Sequence, residues 1–177
     1  MENAAEVIEG EFHLVVEQIL RLHSDLDLRV EPVDWSAGSE KLGPDSGAEI
    51  LCSSISLEGE DMCCSLALFG RAELIQGLSK TGATCAADWI GELANLLMGA
   101  LKNRLSEYGL CTRLGLPVCV QGKNLEFISR HSAQDAVAVH TDIGSVAVEL
   151  HYSVDPNTQW QRNPDLAAVE EGGMCLF

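Results

Sequence analysis

Residues 49–69 read EILCSSISLEGEDMCCSLALF, and this stretch decides the fold class. Glu49 to Leu57 and Met62 to Phe69 are two apolar-rich runs of strand length, and Glu58-Gly59-Glu60-Asp61 between them is a polar, glycine-containing break. Two such runs so close together predict an antiparallel hairpin, because a parallel pair needs a crossover of a dozen residues or more. The sheet is therefore at least partly antiparallel. Upstream, Ala4 to Ser24 sets Ile8, Phe12, Val15, Ile19 and Leu22 at spacings of three and four, which predicts an amphipathic helix lying on that sheet. Leu26-Asp27-Leu28-Arg29-Val30 alternates like a half-buried strand, and Ser36 to Gly47, rich in Gly and Ser, reads as a loop.

Downstream of the hairpin, Ala72 to Leu78 predicts a short helix and Lys80 to Ala83 a break. Thr84 then suits the N-cap of a long helix running to about Tyr108, with Gly109 as its stop. Thr112 to Gln121 and Leu125 to Ile128 look extended. Asp135 to His140 and Val146 to Val154 flank the turn Thr141-Asp142-Ile143-Gly144 and predict a second hairpin. Asp155 to Phe177, with two Pro and weak periodicity, predicts a loosely packed tail. The expectation is an α/β (α+β) domain over 1–154 and a tail over 155–177. Its antiparallel-rich sheet carries the first and the long helices on one face.

Composition narrows the function classes. Of 177 residues 46% are hydrophobic but only 5% aromatic, so the core must be aliphatic. Eleven Lys and Arg against 27 Asp and Glu give a net charge of -16, which repels nucleic-acid backbones and anionic lipid. Seven cysteines, an odd number without a CxxC pair and behind an acidic opening, point to reduced thiols in a cytoplasm. Cys52, Cys63 and Cys119 lie in apolar strand-like stretches and read as small hydrophobes. The final Cys175-Leu176-Phe177 sets its cysteine one position too near the end for a prenylation box, and no apolar run has the length of a membrane span. His131, His140 and His151 lack the spacing of a zinc helix, so no metal site is expected. The chain contains no GxSxG, Walker A or GxGxxG motif.

The long helix carries the remaining information. At 100° per residue, Ile90, Leu93, Ala94, Leu97, Leu101, Leu105 and Tyr108 share one side and form a core-facing stripe. Asp88, Glu92, Asn95 and Gly99 line up almost opposite. The bland reading of that line is a solvated face, with Asp88 favouring the helix N-terminus through the dipole. Against it, Asn is a mediocre helix former at mid-helix, and a helical Gly costs about 1 kcal/mol relative to Ala. A glycine on such a face marks a place where another backbone approaches.

Asp88-Trp89-Ile90-Gly91-Glu92-Leu93-Ala94-Asn95, followed by Gly99 and Lys102 and by Pro117 22 positions beyond the Asn, resembles the helix signature of the CheC, CheX and FliY chemotaxis phosphatases. Leu114-Gly115-Leu116-Pro117 and Gly122 are also similar to that family. The signature occurs once, since neither Glu17-Gln18 in the first helix nor the tail repeats the Glu-x-x-Asn spacing, and a single copy resembles the CheX type.

The resemblance implies a phosphatase acting on an aspartyl-phosphorylated, CheY-like response regulator. It implies that Asn95 positions the attacking water and that Glu92 anchors on the receiver's Lys, with Asp88 and Gly99 in the partner-binding line. It further implies a homodimer joined edge to edge through strands, and Mg²⁺ held by the receiver rather than by this chain. The dipole reading accounts for Asp88 nearly as well, and Pro117 reads as structural. Two rivals remain: a non-catalytic CheX-like module that binds a receiver domain or other signalling protein through the same face, and a dimerisation domain whose helix face is merely solvated.

Overall fold

A computed structural model of the chain describes residues 3–33, 48–80, 82, 85–123 and 135–163. Helix α1, Ala4–His23, starts at Asn3, whose side chain accepts from the Ala5 amide at 3.1 Å. Strand β1, Arg29–Pro32, follows. Strands β2, Glu49–Gly59, and β3, Met62–Arg71, form the expected hairpin. After them come α2, Ala72–Gly77, and the long helix α3, Ala86–Ser106. Strands β4, Thr112–Leu114, β5, Val118–Lys123, β6, Asp135–Thr141, and β7, Gly144–Val154, complete the described fold.

Seven strands make one sheet in the order β1-β6-β7-β3-β2, and β4 and β5 follow one another along the outer edge of β2. Every pairing is antiparallel. The mixed α+β architecture read from the sequence is thus the one observed. Alternation puts Leu51, Ile55 and Leu57 of β2, Leu66 and Leu68 of β3, and Val146, Val148 and Leu150 of β7 into one cluster with α1 and α3. Helix α3 contributes Ile90, Leu93, Ala94, Leu97, Leu101 and Leu105, all fully buried. Each of its Leu and Ile side chains removes enough apolar surface from water to contribute about 1.5–3 kcal/mol, so α3 is held as a rigid rod on the sheet.

Several expectations shift. Helix α3 begins at Ala86 with Cys85 as a cap lacking a side-chain hydrogen bond, and Thr84 lies outside the described residues. Leu22 belongs to the core-facing side of α1 by angle but is 58% exposed; Val16 and Leu20 are buried instead. Cys52 is buried, whereas Cys63 and Cys119 are exposed. Cys63 points to the sheet face opposite its buried neighbour Cys64, and Cys119 stands on the edge strand. Burial pushes the Cys52 thiol up to about 11 and the Cys64 thiol up to about 12, so both stay protonated and poor as nucleophiles.

The run Thr112 to Gln121 is interrupted. The Gly115 amide still donates to the Ser56 carbonyl at 2.8 Å, but Pro117 has no amide to continue the ladder, and pairing resumes only at Val118. Residues 155–163 do not trail away: Trp160 is 4% exposed beside Tyr108, and Arg162 hydrogen-bonds Glu107 at 2.7 Å. The loop 36–47, the run 125–128 and the remainder of the tail lie outside the described residues.

Candidate functional site

The site rises from α3. Its buried stripe leaves the opposite line of the helix outward, and there Asp88 and Glu92 are exposed while Asn95 and Gly99 are half-buried. Asp88 sits in the first turn, where its carboxylate complements the helix dipole. Glu92 and Asn95 are three residues apart on a regular helix, about 4.5 Å along the axis, with neighbouring side chains. Among the described residues, neither forms a hydrogen bond or ion pair within the chain. A carboxylate and a carboxamide therefore stand side by side with their polar atoms unclaimed by the fold.

Gly99 continues the line one turn further. A Cβ built there would meet nothing within 4 Å, so the surface beside Asn95 is flat and open. The sequence reading placed a close approach at this glycine, and within this chain there is none. The close approach occurs at Gly91 instead, where a Cβ would lie 3.0 Å from the Cys119 sulfur on β5. Cys119 in turn reaches the Ser53 hydroxyl at 3.5 Å. Gly91 thus lets α3 sit tightly on the edge strand and fixes the height of the Glu92-Asn95 line above the sheet. Sequence reasoning did not single out Gly91, because periodicity alone does not say which helical glycine faces a strand.

Beside the helix, the β4–β5 edge presents Leu116, 87% exposed, with Val118 and Val120 also exposed. The opposite flank of α3 is tied to α1: Arg104 meets Glu11 at 3.4 Å and Gln18 at 3.0 Å. These contacts orient the rod about its own axis as well as holding it down. Asp88, Glu92, Asn95 and Gly99, the residues the resemblance singles out, are therefore gathered on one accessible line, and Pro117 lies between β4 and β5 in the edge of the sheet.

The histidines serve other ends. His140 contacts Ser145 at 2.7 Å and His151 lies 3.6 Å from Glu149, while His131 is outside the described residues. No group of three or more His, Cys, Asp or Glu side chains is placed to hold a metal ion among the described residues. Nor is any helix among them long and apolar enough to cross a membrane.

Residues 61–141 match the family described as chemotaxis phosphatase CheX. The chain resembles a CheC-like superfamily protein from Shewanella sp. PV-4 at TM-score 0.62 and 20% identity, covering 86% of this chain and 99% of that one. It resembles the chemotaxis protein CheX from Vibrio vulnificus at TM-score 0.63 and 18% identity, covering 82% and 99%. A CheX from Borrelia burgdorferi, solved in complex with CheY, BeF3 and Mg²⁺, superposes at TM-score 0.60 with 14% identity over 81% of this chain and 96% of that one. No curated protein matches the sequence. At these identities the structures establish the fold, which is of the CheC/CheX type, and the matched segment carries α3 with its Glu92 and Asn95.

Proposed function

For this CheX-like chain we propose the hydrolysis of an aspartyl phosphate on a CheY-like receiver domain, with Asn95 positioning the attacking water and Glu92 anchoring the receiver's Lys. The observation that supports it is the unclaimed pair itself: Glu92 and Asn95 share an exposed helical line with an open glycine, inside the segment that matches CheX.

An acyl phosphate is already activated, so the reaction needs a water held in line with the phosphorus and compensation of charge more than it needs a covalent intermediate. A carboxamide suits the first task. It accepts one hydrogen bond and donates another without titrating, so it orients a water over a wide pH range. A carboxylate one turn away does not neutralise that charge but anchors: it pairs with the receiver's Lys and fixes the helix against the site. Mg²⁺, held by the receiver's own carboxylates, would neutralise the phosphoryl oxygens; this chain supplies the water-holding group from outside.

The test is release of inorganic phosphate from phosphorylated receiver domains in the presence of Mg²⁺. The wild-type chain accelerates it, and Asn95→Ala lowers the rate by about 10²–10³-fold, the usual cost of one preorganised polar group in a transition state. An unchanged rate for Asn95→Ala sinks the mechanism. Binding of a receiver without any acceleration identifies the non-catalytic module instead.

The same reading includes a homodimer. The outer edge of β5 has no strand partner among the described residues, and an open edge with exposed Val118 and Val120 invites pairing with a second chain.

A further inference from the structure

In a chain of net charge -16, five of the nine described Lys and Arg side chains pair with its own carboxylates: Arg21 with Glu17, Arg29 with Glu31, Lys80 with Asp25, Arg104 with Glu11 and Arg162 with Glu107. Lys102 differs. It forms no ion pair among the described residues, and the helical positions where a partner would stand are Met98, Gly99, Leu105 and Ser106, none of them acidic. Arg113 and Lys123, which also form no ion pair, at least face Glu58 and Glu49 across the strand register. Lys102 is thus a lone cation on the outward line of α3, and the only one on the line that carries Glu92 and Asn95.

Its position gives it reach. Seven residues separate it from Asn95, about 10.5 Å along the axis, and a helical side chain leans toward the helix N-terminus. That lean directs the side chain toward the side of Gly99, where a Cβ would meet nothing within 4 Å and the ammonium is free to swing. We propose that Lys102, swinging across the open surface at Gly99, binds an oxyanion of the docked receiver and so positions the phosphoryl group opposite Asn95. The proposal rests on the receiver reading above. It also answers a difficulty within it, because a receiver's metal-holding carboxylates and phosphoryl group are anionic and the rest of this line, Asp88 and Glu92, repels them. The open glycine acquires a purpose: a side chain at 99 would stand between the ammonium and its target.

The test is titration of the chain with a Mg²⁺-loaded receiver domain, with and without beryllofluoride as the phosphoryl mimic, at low and at high salt. Lys102→Gln is expected to weaken binding about tenfold at low salt, about 1.4 kcal/mol, and to flatten the salt dependence. Lys102→Arg should restore both. A loss seen only with beryllofluoride places the ammonium on the phosphoryl oxygens, and a loss seen in both states places it on a receiver carboxylate. Equal affinity and equal salt dependence for Lys102→Gln and wild type overturn the proposal. Asn95→Ala separates the two claims, since it should bind within about threefold of wild type (under 0.7 kcal/mol) while losing turnover. A wild-type chain that binds no receiver overturns the functional reading and this inference with it.

Discussion

Gly91 and Gly99 are both interior glycines of one helix, and their surroundings give them opposite tasks. At Gly91 a Cβ would press the Cys119 sulfur at 3.0 Å, so its hydrogen is what lets α3 rest on β5. Gly91→Val therefore overpacks the seam and should cost about 1–3 kcal/mol, measurable as a lower midpoint in urea. Because the offending atom is a cysteine sulfur, Cys119→Ala should recover much of that loss in the double variant. Simple additivity of the two substitutions counts against the contact. Gly99, with open space above it, has room for a side chain, so a substitution there should leave the packing of the free protein intact. That Glu92 and Asn95 share an outward line was legible from their spacing; that they are left without partners among the described residues had to be seen in three dimensions.

Among the elements, α3 was legible from its stripe alone, but it ends at Ser106, two residues before the expected Tyr108, and Gly109, with φ of +80°, lies in the turn that follows. The attachment of α1 was not. Its apolar stripe predicted contact with the sheet, yet its orientation is set by polar contacts far apart in sequence. Glu9 accepts from the Tyr152 hydroxyl at 2.7 Å, and His13 meets the Asp135 carboxylate at 2.7 Å. The hydrogen bond to Asp135 raises the His13 pKa above its ordinary value, with burial opposing and the charges of Asp135 and Glu9 assisting. A histidine whose folded pKa exceeds its unfolded one stabilises the fold fully below the unfolded value, about pH 6.5, and loses that contribution as pH rises through the folded value. The difference in thermal midpoint between wild type and His13→Gln should accordingly be largest in mild acid and shrink toward alkaline pH. A difference that is constant from about pH 5 to about pH 9 contradicts this role for the pair.

At the scale of the whole molecule, the sheet ends in an edge whose outer strand is split by Gly115 and Pro117 and carries exposed Leu116, Val118 and Val120. If that edge seats a second copy, Val118→Lys should convert a dimer to a monomer in light scattering while leaving the circular dichroism spectrum unchanged. A wild-type monomer at high concentration removes the dimer from the reading. Strong negative charge would then act between copies as well, and the dimer should tighten with added salt.

The sequence by itself determined the elements and their outward and inward sides, since periodicities of two and 3.6 residues follow from backbone geometry and apolar spacing follows from burial. It determined the two hairpins, the antiparallel character of the sheet and the line of Asp88, Glu92, Asn95 and Gly99. Only the tertiary structure decided that β4 and β5 share the edge of β2, that Trp160 folds back beneath Tyr108, and that Gly91 rather than Gly99 is pressed against a strand. Those are contacts between residues distant along the chain, fixed by how shapes fill a common core, and local patterning carries no record of which surfaces meet.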